Sequence, residues 1–194
     1  MILLIYIKIE STKLTSKDYN IITVDLTKVD STSDPIMEEL AKLKFDLSCP
    51  TILIAECLMV YIPRKITMNF LNVFTSNFKN LVFTFYDLIN PHDPFGLEML
   101  ENLKIRNIKL NGIEETDSVE KQLSRLKELG FGVSECFDMN NFYNKHIDEK
   151  EKKRIEKLEL FDEFEEFVLL QSHSCYGLGI KVETDYSCLN NILV

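Results

Sequence analysis

Long apolar runs that do not alternate with polar residues mark out the chain. Residues 50–58 read Pro-Thr-Ile-Leu-Ile-Ala-Glu-Cys-Leu, and a run of that kind predicts a strand covered on both faces, as in parallel sheets under helices. Residues 19–26, Tyr-Asn-Ile-Ile-Thr-Val-Asp-Leu, and 81–86, Leu-Val-Phe-Thr-Phe-Tyr, are β-rich. Each meets a carboxylate, Asp25 and Asp87, which suits a buried strand emerging at the C-terminal edge of a sheet. Residues 1–9 are apolar except Lys8 and stop at Glu10. They predict another buried strand, far short of the roughly 20 residues that span a bilayer. They also lack the basic start and small-residue cleavage site of a signal peptide.

Between these runs the period changes to that of a helix. Asp34-Pro35 opens a short helix over about 35–44 with Ile36, Leu40 and Leu43 on one face. Pro63 suits a first helical position, followed by Ile66, Phe70, Val73, Phe74 and Phe78 at helical spacing. Residues 90–96, Asn-Pro-His-Asp-Pro-Phe-Gly, form the densest loop signal. A helix over about 95–110 follows, then a turn at Asn111-Gly112. Asp117 and Glu120 suit the start of a helix carrying Val119, Leu123, Leu126 and Leu129, which Gly130 stops. After a short strand over 131–137, a long charged helix is expected over about 146–170, its inner face Ile155, Leu158, Phe161, Phe164 and Val168. Its acidic stretch reads as a solvated face. A strand over 173–181 closes the pattern.

Strand alternating with helix is α/β logic, and in such sheets ligands bind outside the carboxyl ends of the strands. Asp25, Glu56 and the pair Tyr86-Asp87 are therefore expected on one rim. Cys57 reads as core rather than nucleophile. Tyr61 and Tyr86 suit either a substrate contact or half-buried packing, His92 plain loop solvation, and His173 a satisfied core position.

Charge and composition narrow the chemistry. The 194 residues carry 22 Lys and Arg against 31 Asp and Glu, a net −9, opposite to the basic footprint that nucleic-acid binding needs. The five cysteines form no C-x-x-C pair and lie far from the three histidines in sequence. Scattered thiols in a reducing cytosol fit better than a zinc centre or a disulfide framework. Of six glycines the first is Gly96, so nothing before it forms a glycine-rich nucleotide loop.

Several segments also carry a resemblance. Residues 50–61, Pro-Thr-Ile-Leu-Ile-Ala-Glu-Cys-Leu-Met-Val-Tyr, resemble the P-T-L-x-I-A-E-C-V-L-V-Y segment of the leucine carboxyl methyltransferases. Residues 95–103 are similar to that family's F-G-x-x-M-x-E-N-L, and 154–163 to its R-I-x-x-L-E-x-L-D-E. Residues 111–115, Asp138-Met139 with 142–144, and Asp18-Tyr19 with Asp25-Leu26 follow in family order. The resemblance runs from about residue 15 to about 181.

It implies the class I S-adenosylmethionine-dependent methyltransferase fold, a Rossmann-like sheet of strand order 3-2-1-4-5-7-6 with flanking helices. It implies methyl transfer from S-adenosyl-L-methionine to the C-terminal leucine carboxylate of the type 2A protein phosphatase catalytic subunit, in the cytoplasm. In the family pattern Asp25 and Leu26 would hold the adenine, by a carboxylate and a backbone N–H, and Glu56 the methionine end of the cofactor. No catalytic base and no metal ligand is implied, and neither nucleic acid nor membrane is an expected partner. The family's glycine-rich loop and its strands 1 and 2 have no counterpart in this sequence. The expectation is thus a single, N-terminally truncated domain over 1–194, or one whose residues 1–9 slide into the vacancy. The alternative function is a non-catalytic remnant that only binds the phosphatase.

Overall fold

The computed structural model describes residues 8–10, 13–16, 19–29, 34–159 and 162–183. The chain divides into two compact units, residues 1–46 and 47–194.

In the first unit three short strands, β1 (Lys8–Glu10), β2 (Lys13–Thr15) and β3 (Asn20–Ile22), form an antiparallel meander. Ser16 closes the β2–β3 connection: its hydroxyl accepts from the Tyr19 N–H at 3.0 Å and donates to the Tyr19 carbonyl at 2.8 Å. The helix α1 (Pro35–Lys42) begins at Asp34, whose carboxylate accepts from the Met37 N–H. The buried strand expected over 19–26 is thus cut to three residues, with Tyr19 and Ile21 exposed. A strand needs a neighbour to satisfy its N–H and C=O groups. Here a local hairpin supplies one, and the chain turns off at Asp25. Of the expected strand over residues 1–9, residues 1–7 lie outside the described residues.

The second unit is built on β4 (Thr51–Glu56), β5 (Leu81–Leu88), β6 (Val133–Asp138) and β7 (Ser174–Lys181), in the order β4-β5-β7-β6. β4 and β5 are parallel, and β7 runs antiparallel to both β5 and β6. This is the 4-5-7-6 side of the sheet that the resemblance implies. Its helices are α2 (Arg64–Asn77), α3 (Pro94–Ile105), α4 (Val119–Glu128), α5 (Met139–His146), α6 (Glu149–Ile155) and α7 (Phe164–Gln171).

One face of β5 carries Leu81, Phe83, Phe85 and Asp87, all buried. Opposite Phe83 and Phe85 in register stand Gly179 and Gly177. A Cβ at Gly177 would enter the Phe85 ring, and one at Gly179 would meet Phe131 and Leu126. The glycines of β7 therefore make room for aromatic rings that stack over the sheet.

Two helices end earlier than their spacing suggests. The one expected to reach residue 110 stops at Ile105, where Asn107 takes a left-handed φ of 58° and the Ile108 N–H returns to the Leu103 carbonyl. The long helix expected over 146–170 is broken. Asp148 caps α6 anew, and α7 starts only at Phe164. Like charges three or four residues apart, Glu159 with Glu163 and Asp162 with Glu166, oppose a helix through that stretch. Of its expected inner face, Ile155, Leu158, Phe164 and Val168 are exposed, and Phe161 lies outside the described residues.

Candidate functional site

The candidate site lies at the carboxyl ends of β4 and β5. Glu56 ends β4, exposed, directly across from Tyr86 in register. Among the described residues its carboxylate has no hydrogen-bond or ion-pair partner. Cys57 follows with a φ of 45°, left-handed for a residue with a side chain, and its N–H donates to the Tyr86 carbonyl at 2.8 Å. Strain of that kind persists only where neighbours enforce it. Burial, then the charges of Asp87 and Glu56, push the Cys57 thiol up. That makes it a poor nucleophile, in keeping with a packing role.

The chain next forms a 3-10 turn, Met59–Tyr61, pinned from three sides. The Gly112 N–H donates to the Val60 carbonyl at 2.8 Å, and Asn111 Nδ2 donates to the Tyr61 carbonyl at 3.3 Å. A Cβ at Gly112 would collide with the Met59 and Ile62 carbonyl oxygens, so the Asn111-Gly112 turn is there for close approach. From below, the Asp87 carboxylate accepts from the Val60 and Leu88 N–H groups. Tyr61 projects from this turn, partly exposed. Tyr86 is half-buried and its hydroxyl donates to Ser174 Oγ at 2.7 Å, so packing accounts for it.

Asp87 does not join the open rim. It is fully buried, and burial raises its carboxyl from 3.8 to about 6. Its Oδ2 has no partner among the described residues. The nearest countercharge in effect is Arg125 of α4, itself fully buried, its guanidinium 4.8 Å from the centre of the Phe85 ring. None of the three Arg125 side-chain nitrogens has a hydrogen-bond partner among the described residues. Burial lowers the Arg125 guanidinium to about 10 against the attraction of Asp87. Gln122, one turn before, is buried too and donates to the Thr116 carbonyl. Sequence pattern missed these polar core positions because the stripe it follows counts only apolar side chains. Cys136 and Cys175 are buried beneath, the Cys175 thiol pushed up by its hydrogen bond to Cys136 and then by burial.

Asp25 and Leu26 belong to the first unit, so the single rim expected from sequence is not one sheet's edge. Asp25 caps a 3-10 turn, Leu26–Lys28: its carboxylate accepts from the Thr27 N–H at 3.0 Å and the Thr27 hydroxyl at 2.7 Å. Those bonds, with Lys28 at 3.6 Å, hold the carboxyl below its usual range. The Leu26 N–H has no partner among the described residues.

His173 meets the expectation of a satisfied core position, while His92 stays exposed but sits beside two carboxylates instead of in plain solvent. His92 is exposed between Glu114 at 3.2 Å and Asp117 at 3.6 Å. His173 is buried, with Asp93 at 2.8 Å, the Leu169 carbonyl at 2.8 Å and the Phe95 ring beside it. Among the described residues no cluster of His, Cys, Asp and Glu could hold a metal ion, and no helix is long and apolar enough to cross a membrane.

The sequence is similar to several known proteins. The leucine carboxyl methyltransferase 1 homolog of Arabidopsis thaliana is 34% identical over 175 residues, covering 90% of this chain and 52% of that protein. Leucine carboxyl methyltransferase 1 of Caenorhabditis elegans is 34% identical over 158 residues, 81% of this chain and 46% of the other. Human tRNA wybutosine-synthesizing protein 4 is 32% identical over 158 residues, 81% of this chain and 22% of the other. Among solved structures, phosphoethanolamine N-methyltransferase 2 of Haemonchus contortus, bound to S-adenosylhomocysteine, overlaps 76% of this chain and 40% of its own. That overlap has a TM-score of 0.38 and 16% identity. No family model matches the chain. The chain spans about half the length of the leucine carboxyl methyltransferases it matches, in their carboxy-terminal portion. Over most of its own length, then, this chain is similar to the carboxy-terminal part of the leucine carboxyl methyltransferases.

Proposed function

We propose that this chain is the carboxy-terminal part of an S-adenosylmethionine-dependent carboxyl methyltransferase, with Glu56 on the cofactor. The observation that carries the reading is Glu56. A carboxylate at the end of an apolar strand, followed by a left-handed Cys57 and a turn pinned by Asp87 and Gly112, has no internal partner among the described residues. Glu56 is exposed, so its carboxylate is open to a ligand arriving from solvent. Asp25 and the Leu26 N–H, in the first unit, offer an acceptor and a donor that suit the amino group and a ring nitrogen of an adenine.

S-adenosylmethionine brings an activated methyl group on a sulfonium. The acceptor carboxylate is already ionised at neutral pH. The chain's own task is therefore to align the two and exclude water, with no general base required. Tyr61, exposed on the pinned turn, suits a hydroxyl contact to the acceptor. The acceptor we assign is the C-terminal leucine of the type 2A phosphatase catalytic subunit. The relatives' names support a leucine carboxylate, and the −9 charge disfavours a nucleic acid acceptor.

Calorimetric titration with S-adenosylmethionine tests the cofactor assignment, in the presence of the amino-terminal portion of the Arabidopsis relative. Glu56→Gln is expected to lose about 1.5–3 kcal/mol of binding, the worth of a hydrogen bond to a charged group. An unchanged affinity rejects Glu56 as a cofactor residue.

A further inference from the structure

Arg125 is a cation inside the core. It is fully buried on α4, its guanidinium lies 4.8 Å from the centre of the Phe85 ring, and none of its side-chain nitrogens has a hydrogen-bond partner among the described residues. An apolar side chain of similar size in place of a buried charge is often neutral or stabilising. Stability of the fold therefore does not account for Arg125. Its surroundings do. Phe85 and Asp87 share one face of β5. Burial works against the ionised Asp87 carboxylate, while the Leu88 N–H and the Arg125 charge favour it. The other titratable groups around Asp87 are Cys175, opposite it on β7, and Cys57 just past β4. Both thiols are pushed up and stay neutral, so Arg125 is the cation among these groups. Cys136 of β6 and Arg64 of α2 also act on Arg125. Asp138 of β6, in register with Cys175, is engaged by the Asn141 N–H. Arg64, three residues past the Met59–Tyr61 turn, donates to both carboxylate oxygens of Glu128 on α4 at 2.7 Å. α4 is thus tied to the chain on the far side of the same turn.

We propose that Arg125 is a positioning residue for the candidate site: its buried charge keeps the Asp87 carboxylate ionised, and so a strong acceptor for the Val60 and Leu88 N–H groups that hold the Met59–Tyr61 turn beside Glu56. Hydrogen bonds to an ionised group are about twice as strong as neutral ones. Asp87 Oδ2, unpartnered among the described residues, is the atom that takes the proton when the charge is lost. Protonation then weakens both bonds without breaking the backbone, and the Gly112 and Asn111 contacts keep the turn attached. The shape of the turn is at stake whatever ligand Glu56 meets, and a bearing on the cofactor rests on the function proposed above.

The test uses the whole chain without ligand. Protection of the Val60 and Leu88 amides from hydrogen exchange is followed against pH, with the Asp87 carboxyl carbon followed by NMR. Wild type and Arg125→Met are compared, alone and in an Asp87→Asn background. In Arg125→Met the Asp87 carboxyl should titrate about one pH unit higher or more. The two amides should then exchange roughly tenfold faster at pH 7. That gap should close by about pH 9, where the carboxylate is ionised with or without Arg125. The melting temperature should hold or rise. In the Asp87→Asn background the methionine substitution should leave both amides unchanged. An Asp87 titration that does not move overturns the proposal. So does amide protection that stays the same or falls equally at every pH, or an equal effect in the Asp87→Asn background. Arg125→Gln replaces the methionine variant if that one does not fold, and failure of both overturns the proposal too, because Arg125 would then be holding the fold itself. A chain that passes this test yet binds no S-adenosylmethionine counts against the proposed function alone.

Discussion

Two neighbouring strand ends, six residues of β4 and eight of β5, show how position decides the fate of a carboxylate. Both strands are apolar, both run parallel, and each carries an acid near its carboxyl end. At β5 the acid is sealed under α4, shares its surroundings with a buried guanidinium, and holds the turn after β4 through the Val60 N–H. At β4 the acid stands free in solvent next to that same turn. The closed end is the scaffold and the open end is what the scaffold presents.

The largest expected contrast is in packing. Phe85→Ala empties a fully buried site beneath the Arg125 guanidinium and should cost about 3–5 kcal/mol in urea unfolding. Ile54→Ala, on the neighbouring strand, should stay within about 0.5 kcal/mol. Equal costs would mean that the β4 face is closed and the contrast false.

Next comes pH. The folded state holds the Asp87 proton up to about 6 against 3.8 for the free group. Below about pH 4 both states are protonated and no penalty applies. As pH rises toward 6 the unfolded chain ionises first, so this group's contribution to stability falls, by about 3 kcal/mol at most. Asp25, Asp93 and Glu128 are held low and act in the opposite direction, gaining stability as pH rises. The difference between wild type and Asp87→Asn isolates the one group. The variant should be more stable than wild type at pH 7 relative to pH 4, and parallel curves would refute the buried assignment. Smallest of all, Glu56→Gln should leave stability within about 0.5 kcal/mol, since the carboxylate has no hydrogen-bond or ion-pair partner among the described residues. A large loss would turn Glu56 into a structural residue.

Sequence reading recovered the elements whose partners are dictated by their own composition. β4 and β5 come from apolar runs too long or too β-branched for loops, β6 and β7 match the strands expected over 131–137 and 173–181, and α2 and α4 come from their stripes. It recovered Gly130 as a helix stop, now with a φ of 79°. It failed where the outcome depends on a neighbour. Residues 19–26 look like β4 in composition, but a strand becomes buried only if strands flank it, and a hairpin closed by Ser16 took its place. Glu56 and Asp87 read alike as acids near strand ends, because their exposure is decided by what packs over each strand: Arg125 of α4 lies over the Phe85 ring of β5, while Glu56 at the end of β4 is exposed. Arg125 and Gln122 were invisible for the converse reason, being polar residues on a face defined by apolar ones. The faint signal that could have found Arg125 is Gly177 of β7, which opens space for Phe85 and so for the guanidinium over its ring.

The central claim is carboxyl methylation with Glu56 on the cofactor. The direct measurement is transfer of a labelled methyl group from S-adenosylmethionine to a folded type 2A phosphatase catalytic subunit, by the chain combined with the amino-terminal portion of its Arabidopsis relative. The account predicts label that mild alkali releases as methanol, that disappears when the substrate lacks its terminal leucine, and that Glu56→Gln reduces roughly tenfold or more at limiting cofactor. Label that resists alkali, or none at all, would contradict it.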